Sequence, residues 1–188
     1  MNIRIASVLV GLLAAGCAVP GFLATDTAHM PANADGRPAL TQNEAIALAS
    51  WALKDPATTR DNPERAARAI AAADWLAGQT NLTGEFGTYA PVNEVSWGTF
   101  RRQARAAIGV PNEAPSQVLV ERLLAAADAL KAGQPATGPL TDPIFTRGPD
   151  ATLAALANLP KLPARDWAFA ELNRHDDMSH DCHFPAMC

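Results

Sequence analysis

Aromatic residues make up only 6% of the chain, with a single tyrosine, and β-branched residues are sparse as well. Those are the side chains that suit the pleated, half-buried surface of a sheet, so long strands are excluded as the main framework. A basic excess is also missing. The formal charge is −4, which leaves no electrostatic footprint for nucleic acid. No apolar run reaches the roughly 20 residues that a membrane-crossing helix needs. Absent too are GxGxxG and GxxxxGK[ST] for phosphates, the GxSxG elbow, HExxH and CxxC, the standard spacings that place catalytic groups. This lowers the case for an enzyme without closing it, because catalytic groups can converge from distant parts of a chain.

The N-terminus carries an address. Met1 to Ile5 holds one cation, Arg4, and Ala6 to Gly16 is an uncharged apolar run ending in small residues, the order of a secretory signal. Leu12, Leu13, Ala14, Ala15, Gly16 and Cys17 then resemble the lipobox of bacterial lipoproteins. One position departs from it: the third residue before the cysteine, usually leucine, is Ala14, and Leu13 stands one place early. The resemblance, which covers only the leader, implies cleavage before Cys17, acylation of its thiol and a membrane partner reached through that lipid. The alternative is plain export with cleavage nearby. Each acyl CH₂ buried contributes about 0.8 kcal/mol, so several chains would anchor the protein permanently. An odd count of three cysteines fits the same picture, because lipidation of Cys17 leaves Cys182 and Cys188 free to pair. Five residues separate those two, and an extracytoplasmic compartment favours the bond.

Removing residues 1–16 leaves enough chain for one hydrophobic core and little more. Residues 17–39 have no periodicity and are rich in Pro, Gly, Ala and Asp, the composition of a flexible tether of about 25 Å average reach. A helical domain is expected over 40–173. Thr41 and Glu44 form a capping box that opens a first helix, running to about Lys54 and burying Ala45, Ile46, Ala49 and Leu53 before Pro56. Asn62 and Pro63 open a second, with Ala66, Ala69, Ile70, Ala73 and Leu76 on one face and Gly78 as its end. Trp97, Phe100, Ala104, Ala107 and Ile108 stripe a third, with Arg101, Arg102 and Arg105 on other faces. A fourth begins near Pro115, presents Val120, Leu123, Leu124, Ala127 and Leu130, and closes before Gly133. Two short helices follow, Pro149 to Leu159 and Pro163 to Asn173. The fold class is therefore all-α, a single small bundle.

Trp51, Trp75, Trp97 and Trp167 fall one per helix and read as core anchors of an alanine-rich bundle, with an aromatic ligand cage as the functional alternative. AAADWLAGQ (71–79) and AAADALKAGQ (125–134) look alike, as two alanine-rich helices ending at glycine would. The arginine trio is expected on a solvated helix face, or gripping an anionic lipid or glycan.

Two segments are candidates for chemistry. Asn81 to Val95 joins the second and third helices without a pattern, and Glu85, Phe86, Tyr89, Asn93 and Glu94 can rim a pocket there or simply pack an Ω-loop onto the bundle. The tail, 174–188, gathers three of the four histidines with Cys182, Cys188, Met178 and Met187. Were the last helix to continue, Asp176, His180 and His183 would share a face and offer a metal ion one carboxylate and two imidazoles, and the methionines would favour copper over zinc. A Cys182–Cys188 disulfide pinning the C-terminus is the competing reading. Two functions are expected. One is an exported, lipid-anchored helical module of the bacterial envelope that binds another envelope protein without catalysis. The other is an extracytoplasmic copper- or zinc-binding protein that uses the tail; outside it no cofactor is implied.

Overall fold

A computed structural model describes residues 26–79 and, the side chains of 91–94 apart, 91–170. These residues form a helical bundle with no sheet, as the sequence predicts. Helix α1 (Gln42–Ala52) opens with the expected reciprocal cap: Thr41 Oγ1 accepts from the Glu44 N–H at 3.3 Å, and Glu44 Oε2 accepts from the Thr41 N–H at 2.8 Å. A short α2 (Pro56–Thr59), capped by Asp55, was not expected. In α3 (Pro63–Gln79) the Asn62 side chain accepts from the Arg65 N–H, as a cap should. Then come α4 (Pro91–Ala107), α5 (Ser116–Lys131), a 3₁₀ turn (Pro139–Thr141), α6 (Pro149–Ala157) and a helical stretch at 164–170.

The bundle is built around α3, which packs against α1, α4, α5 and α6. From Ala69 to Gln79 every residue is buried. A helix rich in alanine allows this, because neighbouring axes can close in on all sides, but each alanine buries little area. Larger side chains therefore set the core. Trp97, Phe100 and Phe169 meet edge to face with ring centroids 4.9–5.9 Å apart, a favourable quadrupole geometry that joins α4 to the 164–170 helix. Arg68 holds Glu64 one turn back on α3 and Asp128 on α5, each at 2.5 Å. Helix α4 ends in a Schellman turn: Val110 N–H returns to Arg105 O and Gly109 N–H to Ala106 O, with Gly109 at φ +74°.

Four expectations about the elements and their packing need correction here. Trp75 and Trp97 are core residues, but Trp51 and Trp167 are 53% and 75% exposed. Gly78 does not end its helix, which continues through Gln79. Residues 91–95, read as loop, form the first turn of α4. The part of the expected tether that is described, 26–38, is docked. Ala28 is buried, its carbonyl accepts from Gln79 Nε2 at 2.9 Å, and Gln117 both accepts from the His29 N–H and donates to its carbonyl. A backbone bridge between Ala32 and Pro38 then turns the chain into α1.

Candidate functional site

The docked N-terminal segment leads to the polar centre of the molecule. Asp74 of α3, Arg101 and Arg105 of α4 and Ser116 of α5 are all at most 3% exposed. Arg105 grips the Asp74 carboxylate with both ends of its fork, Nε to Oδ2 at 2.7 Å and Nη2 to Oδ1 at 2.9 Å, the bidentate geometry that makes such pairs strong. Its Nη1 donates to the carbonyls of Ala114 and Asn112, fixing the turn between α4 and α5. Ser116 Oγ donates to Asp74 Oδ1 and accepts from Arg101 Nη2 and Arg105 Nη2, each at 2.7 Å, which uses the whole capacity of a hydroxyl. Arg101 Nη2 also reaches the carbonyls of Asp74 and Asp26 at 3.0 Å. Its Nε lies 3.4 Å from Asp74 Oδ1, within ion-pair range but without the alignment of a hydrogen bond.

Asp26 completes the group from outside. Its carboxylate accepts from the Ser116 backbone N–H at 2.8 Å and lies 3.6 Å from Arg105 Nη2. Ser116 is the first residue of α5, and Pro115 before it supplies no side-chain cap. The N-terminal segment thus provides that cap from 90 residues away in the same chain. Gly78 makes the approach possible: a Cβ there would sit 3.1 Å from Asp26 O and from Arg101 Nη2.

Burial alone would push the Asp74 carboxyl up. The Arg101 charge, the hydrogen bond and charge of Arg105, and the Ser116 hydroxyl outweigh it and hold the group below the usual carboxylate range. The arginines divide. Burial lowers Arg101, with repulsion from Arg105 adding to the effect against the pull of Asp74 and Asp26. Arg105 is also disfavoured by burial, but its bonds and attraction to Asp74 and Asp26 carry it above its ordinary value.

This cluster corrects the reading of the arginine trio. Arg102 alone faces solvent. At 100° per residue Arg101 lies only about 40° from Trp97, on the edge of the apolar stripe rather than behind it. A signal existed in α3 too, where Asp74 is the lone charge between Ala69 and Gly78. The resemblance of 71–79 to 125–134 carries no shared role: Asp74 is buried, whereas its counterpart Asp128 is an exposed partner of Arg68.

At the surface, Val95, Ser96, Thr99 and Gln103 of α4 and Pro163, Ala164 and Trp167 line a largely apolar groove of about 390 Å³. Gln103 Oε1 accepts from the Ala164 N–H at 3.0 Å and so fixes one wall to the other. Val95 (49% exposed) and Trp167 stand at its mouth. A second hollow, about 430 Å³, lies where the N-terminal segment crosses α1 and α3, between Met30, Leu40 and Trp75.

Cys17, Cys182, Cys188, Asp176, His180, His183, Glu85, Phe86 and Tyr89 lie outside the described residues. Asn93 and Glu94 fall in the first turn of α4 rather than in a loop. Among the described residues no group of three or more His, Cys, Asp or Glu side chains is placed to hold a metal ion, and no helix is long and apolar enough to cross a membrane. Comparison of the chain with protein-family models, curated protein sequences and solved structures gave no match.

Proposed function

We propose that the protein is an exported, lipid-anchored helical module of the bacterial envelope that acts by binding, with the Trp167 groove receiving an apolar side chain of an envelope protein. The observation that carries this is the pairing of two of the three exposed large hydrophobics among the described residues, Val95 and Trp167, at the mouth of one groove. Isolated exposed hydrophobics are ordinary, but two that share a concavity have the form of an interface core. The size of the groove suits one or two side chains, and Ser96, Thr99 and Gln103 give it the polar rim of a protein contact. The buried ionic cluster supports the reading from the other side, since Arg105 and Ser116 occupy both oxygens of its Asp74 carboxylate. The leader and Cys17 motivate the membrane anchor.

The test is a photo-reactive residue at position 167 of the full chain in living cells. A discrete adduct with one envelope protein is expected, and Thr99→Arg, which fills the groove, should abolish it while leaving the helical spectrum unchanged. Absence of an adduct, or one indifferent to Thr99→Arg, would refute the assignment.

A further inference from the structure

The buried cluster is not electrically neutral by itself. Asp74 offers one negative charge to two guanidiniums, Arg101 and Arg105, all nearly excluded from water. An unmatched buried charge is costly, so the group requires one more anion. Beside it Ser116, at the start of a 16-residue helix, presents a backbone N–H that its own flanking residue does not cap. Charge excess and free donor converge on one point, and a carboxylate already occupies it: Asp26, whose side chain is 39% exposed where those of the cluster arginines and Asp74 are between 1% and 4%.

We infer that this point is a carboxylate-binding site filled in cis by Asp26, and that an external carboxylate takes it when the segment around Asp26 lifts. A single carboxylate oxygen, Asp26 Oδ2, makes both contacts, accepting from the Ser116 N–H and facing Arg105 Nη2. Lifting need not unfold the bundle. The bonds between His29 and Gln117 are exposed to competing water, and the firm holds on the segment are the buried Gln79 bond to Ala28 and the Arg101 bond to the Asp26 carbonyl. A freed Asp26 position leaves Arg105 and the Ser116 N–H without the Asp26 carboxylate, and Arg101 Nη2 without the Asp26 carbonyl.

The test is chemical rescue in the full chain. Asp26→Ala should melt at lower temperature than the wild type. Formate should restore the loss saturably, and chloride at equal ionic strength should not. In ¹⁵N spectra the Ser116 amide and the Arg105 Nε–H should shift with the same half-saturation as the melting temperature, while in the wild type, where Asp26 competes for the site, the same shifts should need a higher formate concentration. If Asp26→Ala is unfolded without anion, the titration is read as refolding, with Asp26→Ser run beside it. Equal effects of formate and chloride, an unmoved Ser116 amide, or failure of formate to rescue either variant would overturn the inference.

Discussion

Replacing Asp74 with alanine removes the acceptor of three charge-assisted or hydroxyl hydrogen bonds and strands two guanidiniums in the core with only the half-exposed Asp26 nearby. Breaking a buried ion pair by deleting one partner costs roughly 3–5 kcal/mol, because the remaining charge can be neither hydrated nor neutralised. Domains of this kind have about 5–15 kcal/mol in total, so the variant should be marginal, with its melting temperature lowered by about 10 °C or more. The cause can be separated from simple cavity formation. In Asp74→Ala with Arg105→Ala the remaining buried charge, Arg101, again faces one carboxylate, so the double variant should lose about 2 kcal/mol less than the sum of the single losses. Urea unfolding followed by far-UV circular dichroism measures all four proteins. Losses that add within about 0.5 kcal/mol would show that the cluster does not act as a unit and would refute the argument.

Because the Asp74 carboxyl is held below its unfolded value, the stability it contributes is complete above about pH 4 and is lost as pH falls through its folded value; the urea midpoint should therefore stay level across the neutral range and drop in acid, and Asp74→Ala should remove part of that drop. Trp97→Ala should cost ~3–5 kcal/mol as the three-ring contact collapses, whereas Trp51→Ala and Trp167→Ala should each cost about 1 kcal/mol or less by the same unfolding assay. Gly109→Ala should destabilise by more than about 1 kcal/mol, since its φ is positive and the new Cβ would lie 2.7 Å from the Arg147 side chain. Cys17→Ser should block palmitate labelling and release the protein from membranes; no label in the wild type would end the anchor proposal. Calorimetric titration of Cu(I), Cu(II) and Zn(II) decides the role of the tail, with tight one-to-one binding lost in a His180→Ala, His183→Ala variant favouring metal handling over a Cys182–Cys188 clasp.

The helices were legible because their ends are chemically explicit. Thr41 with Glu44, Asn62 with Pro63, and Gly133 after α5 each satisfy or terminate particular backbone groups, whereas the same glycine signal at Gly78 failed because α3 continues through it. What packs on what was less legible. Alanine stripes mark a buried face weakly, so Trp51 and Trp167 were misplaced. Trp51 lies about 120° from Ala45 and about 160° from Ala49 around α1 and faces out. The arginines at 101 and 105 looked like a solvated run because their acceptor, Asp74, is 27 and 31 residues away. Hardest to read was the segment from Asp26 to Met30. It has neither caps nor periodicity, and its hold rests on backbone carbonyls, one carboxylate and the missing side chain of Gly78, none of which leaves a local pattern.

Amide hydrogen exchange at Ser116 tests most directly the claim that this segment completes the fold. Ser116 is the first residue of α5, and a first-turn N–H has no partner within its own helix, so it exchanges freely unless something outside the helix accepts its proton. With the Asp26 carboxylate 2.8 Å away, its opening free energy should be well above zero in the wild type, below that of the α3 core amides because the segment lifts without unfolding the bundle, and should fall toward zero in Asp26→Ala. A Ser116 amide that exchanges at the unprotected rate in the wild type would contradict the docking of the N-terminal segment and, with it, the completed charge cluster.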